Sequence, residues 1–251
     1  MKILFSLFLL SLVLVSCENK NNGLYQYSTI DILMRGYYDG NVSLSTCKSK
    51  GNFGIGTFNT LDGELVMLDG EIYQAKENGT VILPPDIIKT PFISVCNFTP
   101  TTRLEIEGAA DIKSVESVLE QQIEDKNAIY AVKISGEFDS ISLRSVRPQS
   151  KPYRPLLDVV KNQSTYSSTM MQGTLVGYLC PEMLGKVSVK GLHLHFISSD
   201  FKKAGHVIDL AFKKIVNFEL CKISEINLQL MSTTDNAATS ISEKDIQQVE
   251  R

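Results

Sequence analysis

Tryptophan is absent from these 251 residues, and phenylalanine and tyrosine contribute only 11 and nine. No aromatic platform for stacking bases is therefore signalled. Lysine- and arginine-rich runs are also missing, and the net charge is −3. That excludes the clustered basic face on which nucleic-acid binding depends. No apolar stretch approaches the roughly 20 residues of a membrane-spanning helix. The nearest, Ile3 to Val15, is shorter and is broken by Ser6 and Ser11. Histidine is scarce, at three residues, and no HExxH pattern occurs. Cys47, Cys96, Cys180 and Cys221 lack the close-paired spacing of a zinc ribbon.

What is present is the composition of a folded protein, 43% hydrophobic and 21% charged. A chain this long buries a sizeable core, as one large domain or two modest ones. The first seventeen residues differ from the rest. Met1 and Lys2 precede the apolar run, which ends in Leu14-Val15-Ser16-Cys17. That ending is the pattern of a bacterial lipoprotein signal, removed before a cysteine that then carries lipid. An ordinary signal peptide ending by chance at a cysteine is the bland alternative. The expectation is an exported protein anchored through Cys17 to a bacterial membrane, on its periplasmic or extracellular face, with residues 18–23 as a polar tether. Two or three acyl chains suffice, since each buried methylene contributes about 0.8 kcal/mol. The four remaining cysteines sit in apolar or strand-like contexts and are expected to be buried free thiols; an oxidising compartment would permit disulfides, whose pairing the sequence leaves open.

Strand-like segments dominate: Tyr25 to Met34, Gly51 to Asn59, Glu64 to Leu68, Ile129 to Phe138 and Leu192 to Ser198. Asp62-Gly63 and Asp69-Gly70 read as tight turns, which places hairpin structure between Leu61 and Tyr73. The spacing of Ile112, Val115, Val118, Leu119 and Ile123 predicts a helix over Asp111 to Glu124. Ser242 to Glu250 reads as a short C-terminal helix that needs docking to be stable. The expected fold class is mixed α/β, β-rich with mixed sheets and few helices. It divides near the proline-rich 148–155 segment into an N-terminal part, 24–155, and a C-terminal part, 156–251. A weak echo links the parts. Gly54 to Phe58 followed by Gly63-Glu64 is matched by Gly191 to Phe196 followed by Gly205-His206, which would let Glu64 and His206 converge on one site.

All three histidines lie between positions 193 and 206. His193 and His195 alternate with leucines, so on a strand both imidazoles leave one face, with Cα atoms roughly 6 Å apart. The loop after Asp200 can return His206 on the neighbouring strand. Three imidazoles with an open position form the ligand set of a catalytic zinc rather than a closed structural one, although the metal's identity stays open. Packing or surface histidines are the bland alternative.

Three blocks then carry a specific resemblance: Gly56-Thr57-Phe58-Asn59 through Leu61-Asp62-Gly63-Glu64; Phe138 through Leu156, with Arg144-Ser145-Val146 and Gln149 to Tyr153; and Gln172-Gly173-Thr174 through Gly177-Tyr178 to His193, His195 and His206. In that order they resemble the acetolactate decarboxylase family. The resemblance implies zinc bound by His193, His195 and His206, catalytic roles for Glu64 and Arg144, and contact of Thr57 and Arg144 with substrate. It further implies a second glutamate near the C-terminus, matched to Glu250 with Glu243 as competitor. A two-domain α/β fold, a homodimer and the conversion of 2-acetolactate to acetoin are implied as well. Without the resemblance, Glu64 would read as a solvated hairpin residue, and composition would not choose Arg144 over Arg147 or Arg154. A zinc hydrolase and a lipid-anchored metal- or ligand-binding protein without turnover are the competing functions.

Overall fold

The computed structural model describes residues 23–233 and 241–250, the last by its backbone. The signal segment, Cys17 and residues 18–22 of the tether lie outside these residues. In chain order the elements are β1 (Gly23–Tyr27), α1 (Ile30–Met34), β2 (Val42–Ser43), α2 (Leu44–Lys48), β3 (Phe53–Thr57), β4 (Glu64–Leu68), β5 (Glu71–Ala75), β6 (Val81–Ile82), β7 (Lys89–Thr90), β8 (Ile93–Cys96), β9 (Thr102–Ala109), α3 (Ile112–Gln122), β10 (Ile129–Ser145), α4 (Leu156–Val160), β11 (Ser164–Cys180), β12 (Gly191–Ser198), β13 (Ala204–Ile223), β14 (Glu225–Gln229) and α5 (Glu243–Glu250). None of the described helices is long and apolar enough to cross a membrane.

Two sheets carry the fold, which is β-rich with few helices. The first is mixed, in the order β14-β1-β8-β3-β4-β5-β6, with the β1–β14 pair parallel. The second is antiparallel, β10-β11-β12-β13-β9, and β10 also pairs with β13, so four strands close into a ring. The sheets do not part at residue 155. β9 and β10 precede that point yet belong to the second sheet, and β14 returns from the far end of the chain to join the first.

Local chemistry explains most boundaries. Asp69 and Gly70 both adopt positive φ, 52° and 88°, and join β4 to β5 as a primed turn compatible with strand twist. α3 begins where the Asp111 carboxylate accepts from the Ser114 amide at 2.8 Å. α5 begins with a reciprocal box: Ser242 Oγ accepts from the Asp245 amide, and Asp245 Oδ2 from the Ser242 amide. The expected strand over Tyr25 to Met34 is a strand only to Tyr27. Ser28 takes φ 67°, and Thr29 then caps α1 by accepting from Ile32 N. The alternation of apolar residues is real there, but a left-handed residue and a cap override it. Gly23, assigned to the tether by sequence, opens β1. The strand begun at Ile129 runs on through a register shift to Ser145, well past Phe138.

Alternation along β12 divides its side chains between two cores. Leu192, Leu194 and Phe196 join Phe138, Phe212 and Phe218 in the ring cluster beneath α3. Ile197 joins the cluster between the sheets, where Phe53, Ile55 and Val66 meet Val176 and Tyr178. His193 and His195 share Ile197's parity and so leave the ring toward the first sheet. Cys47, Cys96, Cys180 and Cys221 are all buried free thiols, and burial raises the pKa of each.

Candidate metal centre

His195 stands opposite His206 in the β12–β13 register, and Arg144 stands opposite His206 in the β10–β13 register. One strand position thus has the other ligands on one flank and a guanidinium on the other. The three imidazoles each offer one nitrogen, and those atoms lie within 4.8 Å of one another. Their relative exposures are 9%, 2% and 2% for His193, His195 and His206. His193 Nε2 and His206 Nδ1 are 3.2 Å apart. Two nitrogens bound to one tetrahedral zinc at about 2.1 Å would be roughly 3.4 Å apart, so the spacing fits a shared ion. The carbonyl of Leu65 lies 2.8 Å from His195 Nδ1. A carbonyl only accepts, so Nδ1 carries the proton and Nε2 keeps its lone pair for a ligand. Electrostatics favour the same state. Burial first, and the Arg144 charge second, lower the pKa of His193 to about 3. His195 is held well below its ordinary value by burial first and His193 second; the Leu65 bond opposes them in part, and Arg144 adds a smaller lowering. Neutral imidazoles are the form that binds metal.

The first sheet supplies the carboxylate. Glu64 opens β4, is 8% exposed, and its Oε2 lies 3.6 Å from His195 Nε2. Thr57, at the end of β3, pairs with Glu64, and its hydroxyl donates to the Gly63 carbonyl at 2.7 Å. Thr57 therefore also fixes the turn leading into Glu64. Gly63 itself takes φ 85°, and a Cβ there would fall 2.1 Å from the Ala75 carbonyl oxygen, so only glycine fits. Arg144 is buried, and its Nη1 donates to Gln163 Oε1 at 3.1 Å. The other two arginines are elsewhere: Arg147 is exposed and ion-paired with Glu77, and Arg154 is exposed.

These groups border one small cavity of about 40 Å³. Thr57, Glu64, Arg144 and the three histidines line one side, while Ile30, Leu33, Leu61, Phe92, Val146 and Leu156 form an apolar wall. That wall belongs to a cluster completed by Ile241, Ile246 and Val249, so α5 docks against the back of the cavity. Glu243, at the first turn of α5, is exposed; Glu250 ends the helix, and its side chain lies outside the described residues.

The alpha-acetolactate decarboxylase family model matches residues 24–243. The chain belongs to this family. An alpha-acetolactate decarboxylase of Brevibacillus brevis is 36% identical over 228 residues, covering 91% of this chain and 80% of the relative. One from Methanosarcina mazei is 42% identical over 197 residues, covering 78% and 68%. The crystal structure of the Bacillus subtilis strain 168 enzyme superposes with a TM-score of 0.87 at 34% identity, covering 91% of this chain and 99% of that one. As a family member, the chain brings Thr57, Glu64, Arg144 and all three histidines to a single cavity. Sequence reasoning missed the residues behind them: Gln163 on Arg144, the Leu65 carbonyl on His195 and the α1–α4 wall. A glutamine before an unrecognised strand and a backbone carbonyl carry no sequence signal of their role.

Proposed function

We propose that this protein decarboxylates (S)-2-acetolactate to (R)-acetoin and carbon dioxide, with a divalent metal, zinc by donor set, held by His193, His195 and His206. The observation that carries the reading is the buried imidazole triad sharing a cavity with Glu64 and Arg144, in a chain of this family. When bound, the ion supplies Lewis-acid stabilisation of negative charge on oxygen. Arg144 orients the substrate carboxylate through its planar fork, with Gln163 restraining one end of the guanidinium. The bond between the carboxylate carbon and the adjacent carbon breaks, and its electron pair passes to the ketone oxygen through a new carbon–carbon double bond, leaving an enediolate. A proton delivered to one face of the former carboxyl-bearing carbon yields one acetoin enantiomer. Glu64, whose carboxylate lies 3.6 Å from His195, is the candidate to hold that proton, and Glu250 at the end of α5 is the second candidate donor. The apolar wall accepts the methyl groups and keeps water from protonating the other face.

The test is acetoin formation from racemic acetolactate by purified protein, resolved on a chiral column, before and after chelation. Single-enantiomer acetoin that disappears with chelator and returns with zinc is expected. No acetoin from the metal-loaded protein overturns the decarboxylase, and undiminished turnover after complete metal removal overturns the metal's part in it. A hydrolase would instead split esters, and a binding protein would turn over nothing.

Lipid attachment at Cys17 and a membrane location belong to the same proposal, supported by the Leu14-Val15-Ser16-Cys17 pattern. The family resemblance supports a homodimer as the working assembly.

A further inference from the structure

Tyr166 lies outside the cavity lining, near the start of β11, opposite Leu143 of β10. Its hydroxyl reaches past β10 and donates to the Ala204 carbonyl at 2.5 Å. The Ala204 amide is held as well, by the Gly79 carbonyl at 3.2 Å. Both backbone groups at the first residue of β13 are thereby fixed, two residues before His206. The phenol has no slack. A Cβ at Gly79 would lie 2.5 Å from its ring, and one at Gly205 would lie 2.3 Å from its oxygen and 2.9 Å from the Arg144 carbonyl oxygen. Two glycines, one on the β5–β6 turn and one directly before the third histidine, leave the space that the tyrosine fills. Burial raises the phenol's pKa, so the hydroxyl keeps the proton it donates.

We propose that Tyr166 is a positioning residue for the metal centre: by clamping Ala204 across β10, it sets the backbone from which His206 presents Nδ1 to the other two imidazoles. The inference rests on the metal-binding reading above. Its physical content is that one ligand's placement depends on a hydrogen bond made two residues away. Partners bonded directly to a metal ligand typically contribute about 10–100-fold to metal affinity, and a clamp on the ligand's own strand belongs at the lower end of that range.

The experiment uses Tyr166→Phe, which keeps the wedged ring and removes only the donor, and Tyr166→Leu, which removes both. Zinc affinity is measured by competition with a chromogenic chelator, and Tm is measured for metal-free and zinc-loaded protein. The expected result for Phe is a loss of about 10-fold in zinc affinity and a smaller zinc-induced rise in Tm, with Leu at least as severe. A tyrosine that served only the fold would lower both melting temperatures together and leave zinc affinity intact. Affinity within about two-fold of the parent in either folded variant therefore overturns the proposal. If the parent chain itself shows no zinc-dependent rise, the metal reading falls and this inference with it.

Discussion

At the scale of residues, burial separates groups that composition makes equivalent. Arg144, Arg147 and Arg154 are chemically identical, but Arg144 is buried in the histidine-lined cavity and donates to the Gln163 amide oxygen, whereas the other two are exposed. Arg144→Lys removes the fork and keeps the charge, so kcat/KM should fall by about 10–100-fold, chiefly through KM, with zinc affinity unchanged. Steady-state kinetics beside a zinc titration checks this; unchanged KM would remove Arg144 from substrate binding. The histidines give a pH prediction. His193 is lowered to about 3 and His195 is also lowered, whereas both titrate near 6.5 when unfolded. The unfolded chain therefore binds more protons below that value. The stability of metal-free protein should be at its full level above about pH 6.5 and fall as pH drops toward 3, by up to about 1.4 kcal/mol per pH unit for each such histidine. Denaturant melts of metal-free protein from pH 8 to 4 would show it, and a flat profile across 6.5 would contradict neutral burial.

At the scale of elements, α5 docks on the cavity wall and carries the proposed second proton donor. Ile246 and Val249 are buried against α1 and α4, while its final residue is Glu250. The two roles are separable. Ile246→Ala should cost about 2–4 kcal/mol of docking and lower acetoin formation together with Tm. Glu250→Gln should leave Tm in place and lower kcat by at least about 100-fold, as expected for a lost proton donor. A Glu250→Gln enzyme with full turnover and a single product enantiomer would remove the tail from catalysis. Element-scale legibility was uneven. β4, β12 and α3 were readable because their apolar period matches their geometry. β11 was not, because its first half, Ser164 to Gln172, is polar and largely exposed and takes its strand form from pairing with β10. β13 was legible only as a histidine-bearing return, since its 20 residues draw order from three partner strands in turn.

At the scale of the whole molecule, the proposed lipid anchor at Cys17 has a direct test. Cys17→Ala should move the protein from the detergent-rich to the aqueous phase on phase partition, without altering turnover per molecule; identical partition of both forms would exclude lipid at Cys17. The site as a whole was partly written in the chain. Alternation alone placed His193 and His195 on one face, because strand side chains repeat every two residues whatever the strand packs against. Glycine at 63 and 70 marked turns for the same local reason. The tertiary structure decided everything that spans the sheets: which arginine is buried, which carbonyl holds His195, how Glu64 comes within 3.6 Å of an imidazole 131 positions away, and how Tyr166 reaches Ala204. Those relations depend on the register of β10 against β13 and on how one sheet lies over the other. Registers of that kind are settled by the sum of many buried contacts, so no single stretch of sequence records them.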